Sequence, residues 1–267
     1  MSQILIGTSG YDHPELKGSF YPADLARKNF LEYYSTKFNA LEINNTFYGM
    51  PTPQRLLSFY ERSQGRVKFS IKMTKVLTHE IGRDWKEQAG LFRQAVQPLI
   101  ERDALSAVLV QFPESFHYEP NNRRYLADLL AKFENLPVVV EFRHRDWVRE
   151  SVFAGLEARN AGIVFCDMPQ LRNLPNGFTL QTPFIGPVAY IRLHGRNASG
   201  WYAGGSDKDT PRYDYEYSQS ELQSFIPVIQ KAVEEGKSVQ MYFNNHPKGI
   251  GFKNAQEMIA LMRGIIL

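Results

Sequence analysis

The sequence predicts an α/β fold, a single (β/α)8 barrel of the TIM type, and three observations predict it. Eight short runs rich in Val, Ile, Leu and Phe recur along the chain, interleaved with segments of helical pattern. The 267 residues suit eight such units in one closed domain. An open doubly wound sheet is the runner-up, but it usually has fewer strands and a glycine-rich phosphate fingerprint. No G-x-G-x-x-G follows the first strand here.

In chain order, the first strand spans residues 3–9, and a loop rich in Gly, Pro and aromatic residues follows. A helix over 29–38 leads to a second strand over 40–44. The next helix, 53–63, has Thr52 as N-cap and Pro53 at its first position, where a missing N–H costs nothing. Strand three covers 67–72, and a helix over 86–102 precedes strand four at 107–112. After a helix at 123–133, the stretch PVVVEFRHRDW (137–147) begins as a β-branched strand and ends in charge. A helix over 149–160 and strand six over 163–167 come next. Residues 168–187 hold too many Pro and Gly for a regular helix, so an irregular connection is expected between strands six and seven. Strand seven is 188–194, and a long Gly- and Tyr-rich segment, 195–217, exceeds normal connection length and reads as a mobile flap over the barrel mouth. A helix over 220–235, strand eight over 238–244 and a helix over 254–263 close the chain, with no linker dividing it.

Alternation assigns the strand faces. Ile4, Ile6, Leu41, Ile43, Phe69, Ile71, Val138, Val140, Phe142, Ile191 and Leu193 form an aliphatic set that would face the helices. The opposite set ends in polar side chains on every strand: Ser9, Glu42 and Asn44, Lys72, Gln111, Glu141 and Arg143, Asp167, Arg192 and His194, and Asn244. Tyr242 shares that face on strand eight, and Cys166 alternates onto the helix side as a small apolar residue. Barrel enzymes carry their chemistry at the C-terminal ends of the strands, so the pattern marks a polar pocket at that mouth.

The nominated acid–base groups are Glu141, Glu42, His194 and Asp167. The nominated binding groups are Lys72, Arg143, Arg192, Asn44, Gln111, Asn244, Tyr242 and Trp201. Two guanidiniums and an ammonium suit an oxyanion, and a phosphate, sulfate or carboxylate is expected to bridge at least two of Lys72, Arg143 and Arg192. The competing reading is an ion-pair network that only plugs the barrel top. His79 and His246 lie on loops that can reach the same space, and Trp147, Trp201 and Tyr202 either stack on a ligand or pack a loop down.

The function this supports is an enzyme acting on a small polar, anionic, sugar-like molecule, with no cofactor required. One alternative is a divalent-metal-dependent hydrolase or isomerase. No local HExxH or Cys-pair spacing is present, so metal ligands would come from separate strands. Another is a binding scaffold for nucleic acid or a protein partner, which a formal charge of +3 neither indicates nor excludes. The single cysteine excludes an intrachain disulfide framework and agrees with a reducing compartment. With no signal peptide and no apolar stretch of membrane-spanning length, a cytoplasmic protein is expected. The oligomeric state is left open.

Several ordered motifs carry a resemblance: GTSGY with a following FYP, EINNTFYGMP, FSIKM then THE, LVQFP, VEFRHRDW, YIRLHG, and MYFNN followed by a glycine and a late NA. Together, from Gly7 to Ala255, they resemble the YecE-like proteins, the domain of unknown function 72 family. The resemblance implies a TIM-type barrel of bacterial cytoplasmic proteins without an established activity, and it supplies no catalytic residues. Tyr11 stands where that family commonly has tryptophan, so an aromatic is kept.

Overall fold

The computed structural model describes residues 3–175, 184–203 and 211–263. Eight parallel strands pair in chain order and close into a barrel: β1 (Ile4–Ser9), β2 (Ala40–Ile43), β3 (Lys68–Lys72), β4 (Leu105–Gln111), β5 (Val138–Glu141), β6 (Gly162–Asp167), β7 (Val188–Leu193) and β8 (Ser238–Phe243). The helices are α1 (Phe30–Tyr34), α2 (Pro53–Arg62), α3 (Trp85–Ile100), α4 (Pro120–Lys132), α5 (Glu150–Glu157), α6 (Gln219–Ser224), α7 (Ile226–Glu234) and α8 (Ile250–Arg263). None of the described helices is long and apolar enough to cross a membrane.

Two apolar layers fill the molecule. The aliphatic set expected on the helix side is there, with Ile6, Leu41, Ile71, Val140 and Ile191 buried against the helices. Leu5, Ala40, Leu109, Val139, Val164, Tyr190 and Tyr242 fill the barrel interior. Where β1 meets β2, side chains lock the register. The Thr8 amide donates to the Tyr34 hydroxyl at 2.9 Å, which donates in turn to the Ala40 carbonyl at 2.8 Å. Gly7 makes room for this, since a Cβ there would lie 2.0 Å from the Ala40 oxygen.

Several elements differ from the sequence expectation. The helix expected over 220–235 breaks in two at Phe225, because Pro227 restarts it as the N-terminal turn of α7 and cannot donate backward. Ser218 and Glu221 form a reciprocal cap on α6. The helix expected over 29–38 shortens to α1, and Ser35 and Thr36 hydroxyls donate back to the Glu32 and Tyr33 carbonyls just beyond its end. α4 starts three residues before the expected 123, with Pro120 in its first turn.

β6 runs in the opposite phase to that expected. Cys166 pairs in register with Arg192 and faces the interior, not the helices. Phe165 is buried on the helix side, and Asp167 shares its parity. This strand is apolar on both faces, so only its terminal carboxylate was available to set the phase, and that choice turns the strand over.

Candidate functional site

The polar strand ends do converge at the C-terminal mouth, but they are spent unequally. At the centre lies a buried carboxylate–guanidinium network. Arg192 is 1% exposed and grips Glu42 with two donors, Nε at 2.9 Å and Nη2 at 2.7 Å. Its third nitrogen, Nη1, reaches Glu141 Oε2 at 2.5 Å. Ser9 Oγ donates to Glu42 Oε1 at 2.6 Å, and the Tyr190 hydroxyl donates to Oε2 at 2.8 Å. Arg143 Nε pairs with Glu141 Oε1. Burial opposes ionisation of both carboxyls, yet the facing guanidiniums win: Glu42 is held below the usual carboxylate range and Glu141 well below it.

These contacts correct two expectations. Glu42 and Glu141 are locked anions with both oxygens of each occupied, so neither is placed to exchange a proton with a ligand. Arg192 has every donor nitrogen engaged and no open fork for an anion, so the bridging role expected of it is withdrawn.

His194 is fully buried, and Arg143 Nη2 lies 3.1 Å from its Nε2. A guanidinium only donates, so Nε2 accepts and the ring proton sits on Nδ1. Asn244, 2.8 Å from Nδ1, must then turn its amide oxygen to that proton. Desolvation and the Arg143 charge push the His194 pKa down to about 3. A neutral imidazole holding Arg143 in place is therefore the state at neutral pH, not the second proton carrier expected.

Asp167 does not join this cluster. Arg196 grips it with two nitrogens at 2.8 and 2.7 Å, and the Tyr217 hydroxyl donates to it at 2.9 Å. Tyr217 also accepts from the Gly195 amide at 2.9 Å, and Gly195 takes a positive φ of 88° where a Cβ would strike Tyr215. Asp167 is thus a latch for the long segment after β7. Asn254, buried in α8, pins the same segment by pairing with both the amide and carbonyl of Tyr217 at 3.0 Å. Of the segment expected over the mouth, Trp201 and Tyr213 are there, their rings 6.4 and 5.9 Å from that of His194. Residues 204–210, with Gly204 and Gly205, and residues 176–183 lie outside the described residues.

Trp201 is buried under the Arg212 guanidinium, 5.6 Å from its ring, and Tyr202 beside it is exposed. Trp147 is a packing residue, stacked on Phe142 at 4.4 Å and donating to the Phe116 carbonyl at 2.6 Å. Tyr242 lies one layer too deep to meet a ligand at the mouth, with its hydroxyl turned to Gln240 at 3.2 Å and Ser106 at 3.4 Å.

What remains at the mouth is one sector over β2 to β5. Lys72 is half-buried, its Nζ 4.4 Å from the Phe47 ring, with no carboxylate partner among the described residues. Desolvation, with Arg192 and Arg143 nearby, lowers its pKa to about 7. Asn44 Oδ1 is buried without a hydrogen-bond partner. Gln111 uses its amide on the Phe112 carbonyl at 2.7 Å, and Arg143 is half-buried at the edge of the network. His79 packs edge to face on Phe47, and partial desolvation with the Lys72 charge lowers its pKa to about 4. Among the described residues, two groups of side chains bring candidate metal ligands together: Glu141, Cys166 and His194 in the interior, and His117, His144 and Asp146 on the rim. The second group leaves no signal in the sequence, because His117 and His144 lie on different loops with nothing local to join them.

Comparison with known proteins gives a consistent picture. A family model described as "Protein of unknown function DUF72" matches residues 5–265. The UPF0759 protein YunF of Bacillus subtilis is 28% identical over 271 residues, covering 97% of this chain and 94% of that protein. The crystal structure of TM1631 from Thermotoga maritima superposes with a TM-score of 0.85 at 30% identity, over 98% of this chain and 99% of that one. EF0366 from Enterococcus faecalis gives 0.83 at 25% identity, over 98% and 96%. A β-glucuronidase from Bacteroides uniformis, 12% identical with a TM-score of 0.51, shares the fold alone.

Proposed function

For a chain that belongs to the DUF72 family of proteins of unknown function, we propose an enzyme acting on a small, polar, anionic, sugar-like molecule at the barrel mouth. One observation carries this reading. In the buried network two carboxylates meet two guanidiniums, so the charge of Lys72, when present, has no counter-ion among the described residues. An oxyanion on the ligand would supply it. Arg143 contributes a permanent charge beside that place, and Asn44 and Gln111 offer acceptors and donors to hydroxyls.

Lys72 takes over the proton transfer expected of Glu141, Glu42, His194 and Asp167. An amine that titrates near neutrality can both take and give a proton there, and an arriving anion raises its pKa, so binding is coupled to proton uptake. The carboxylates and His194 act one step back, fixing Arg143 at the edge of the site.

The test is a melting survey against phosphorylated and carboxylated sugars, inorganic phosphate and sulfate, on the wild type and on Lys72→Met. At least one sugar anion should raise the wild-type melting temperature beyond what sulfate does, and Lys72→Met should lose that increment. Stabilisation by nucleic acid with no response to any small anion would contradict the reading.

A further inference from the structure

Two histidines and an aspartate meet on the rim of the barrel, outside the network described above. His117 belongs to the loop between β4 and α4, while His144 and Asp146 belong to the turn after β5. The imidazole rings meet edge to face with centroids 4.3 Å apart. Asp146 Oδ2 lies 3.2 Å from His144 Nδ1 and 3.6 Å from His117 Nδ1. A cation bound tetrahedrally at ~2.0–2.1 Å holds its donor atoms roughly 3.3–3.4 Å apart. Both carboxylate–imidazole spacings are therefore close to those of a coordination sphere.

The hydrogen bonding leaves room for an ion. The Asp146 backbone amide donates to His144 Nδ1 at 3.3 Å, a long contact on the one lone pair of that nitrogen, and a cation binding there would take its place. Asp146 Oδ2, 3.2 Å from the same nitrogen, is near enough to share the charge. The interior group of Glu141, Cys166 and His194 does not fit a cation, because Arg143 and Arg192 already occupy the Glu141 oxygens and Arg143 donates to His194.

We propose that His117, His144 and Asp146 bind a divalent first-row transition metal, with zinc the best match to two imidazoles and one carboxylate. The side chains of His117 and Asp146 are 46% and 41% exposed, so an entry path exists and water completes the sphere. Three protein ligands with an open position is the arrangement of a reactive zinc site, and a metal here would also tie the loops after β4 and β5 together.

The experiment uses full-length protein purified without a histidine tag and stripped with a chelator. Zn2+ affinity is read by competition with a chromophoric chelator, and Co2+ by its visible ligand-field bands. One ion per chain is expected, with a tetrahedral Co2+ spectrum. His117→Ala and Asp146→Asn alter exposed side chains and should leave the metal-free melting temperature unchanged. Each should weaken Zn2+ binding by at least the ~10–100-fold that loss of an outer-shell partner costs. Absence of stoichiometric binding, equal affinity in wild type and both variants, or loss of binding in Cys166→Ser instead would each overturn the proposal.

Discussion

Arg192 illustrates how a residue can be placed correctly and still be assigned the wrong task. Its inward position at the end of β7 is legible from alternation with Ile191 and Leu193. What alternation cannot supply is distance across the barrel, and that distance lets its guanidinium reach both Glu42 and Glu141. The same reach ties up Glu42 and Glu141 and leaves Lys72 without a carboxylate partner among the described residues. Removing Arg192 would strand buried Glu42 and leave Glu141 to Arg143 alone, a loss of about 3–5 kcal/mol for a broken buried pair. Arg192→Met should accordingly lower the stability measured by denaturant unfolding by at least that amount, whether or not an anion is present. A variant as stable as wild type that merely binds anions less well would restore Arg192 to the ligand.

At the scale of elements, the eight strands are readable because each is a short β-branched run, and the set closes in chain order as βα repetition implies. Strand faces are readable wherever one face ends in polar residues. β6 fails that condition: Ile163 and Phe165 on one face and Val164 and Cys166 on the other are apolar alike, so Asp167 alone sets the phase, and both it and Cys166 lie opposite to expectation. Helix ends were less legible: Pro227 divides α6 from α7, and Ser35 and Thr36 cap off α1 through bonds that depend on side-chain rotamers. The aromatic loop residues separated by partner, not by composition. Trp147 finds a stacking wall in Phe116 and Phe142, and Trp201 is covered by Arg212. The unusual length of the segment after β7 is legible, but its fastening through Asp167, Arg196, Tyr217 and Asn254 joins separate parts of the chain and leaves no local trace.

For the whole molecule, the buried charges set how stability responds to acid. His194 takes a proton near pH 6.5 when unfolded but only near 3 in the fold, so between those values the unfolded chain binds the extra proton. His246, also lowered to about 3, acts with the same sign. Glu42 and Glu141 stay ionised in the fold below 4.5, where the unfolded chain begins to take up protons, so their contribution is present above 4.5 and lost beneath it. The melting temperature should therefore fall as pH drops below 6.5 and fall more steeply below 4.5. His194→Gln should start lower yet decline less between 6.5 and 4.5; a decline parallel to wild type would remove His194 from this account.

In the proposed site the buried network neutralises itself and leaves Lys72 as the titratable charge of an anion seat. Lys72 is charged below about pH 7 and largely neutral well above it, so anion binding should weaken as pH rises through that value. Binding to the folded state raises apparent stability by mass action, while sulfate also stabilises proteins generally by exclusion. The most direct measurement is consequently the melting temperature against sulfate concentration for wild type and Lys72→Met, at one pH below 7 and one well above it. The account predicts a saturable rise in wild type below pH 7, a much smaller one above it, and in Lys72→Met only the gradual unsaturable increase at both values. Identical curves for the two proteins, or a saturable wild-type rise indifferent to pH, would contradict it.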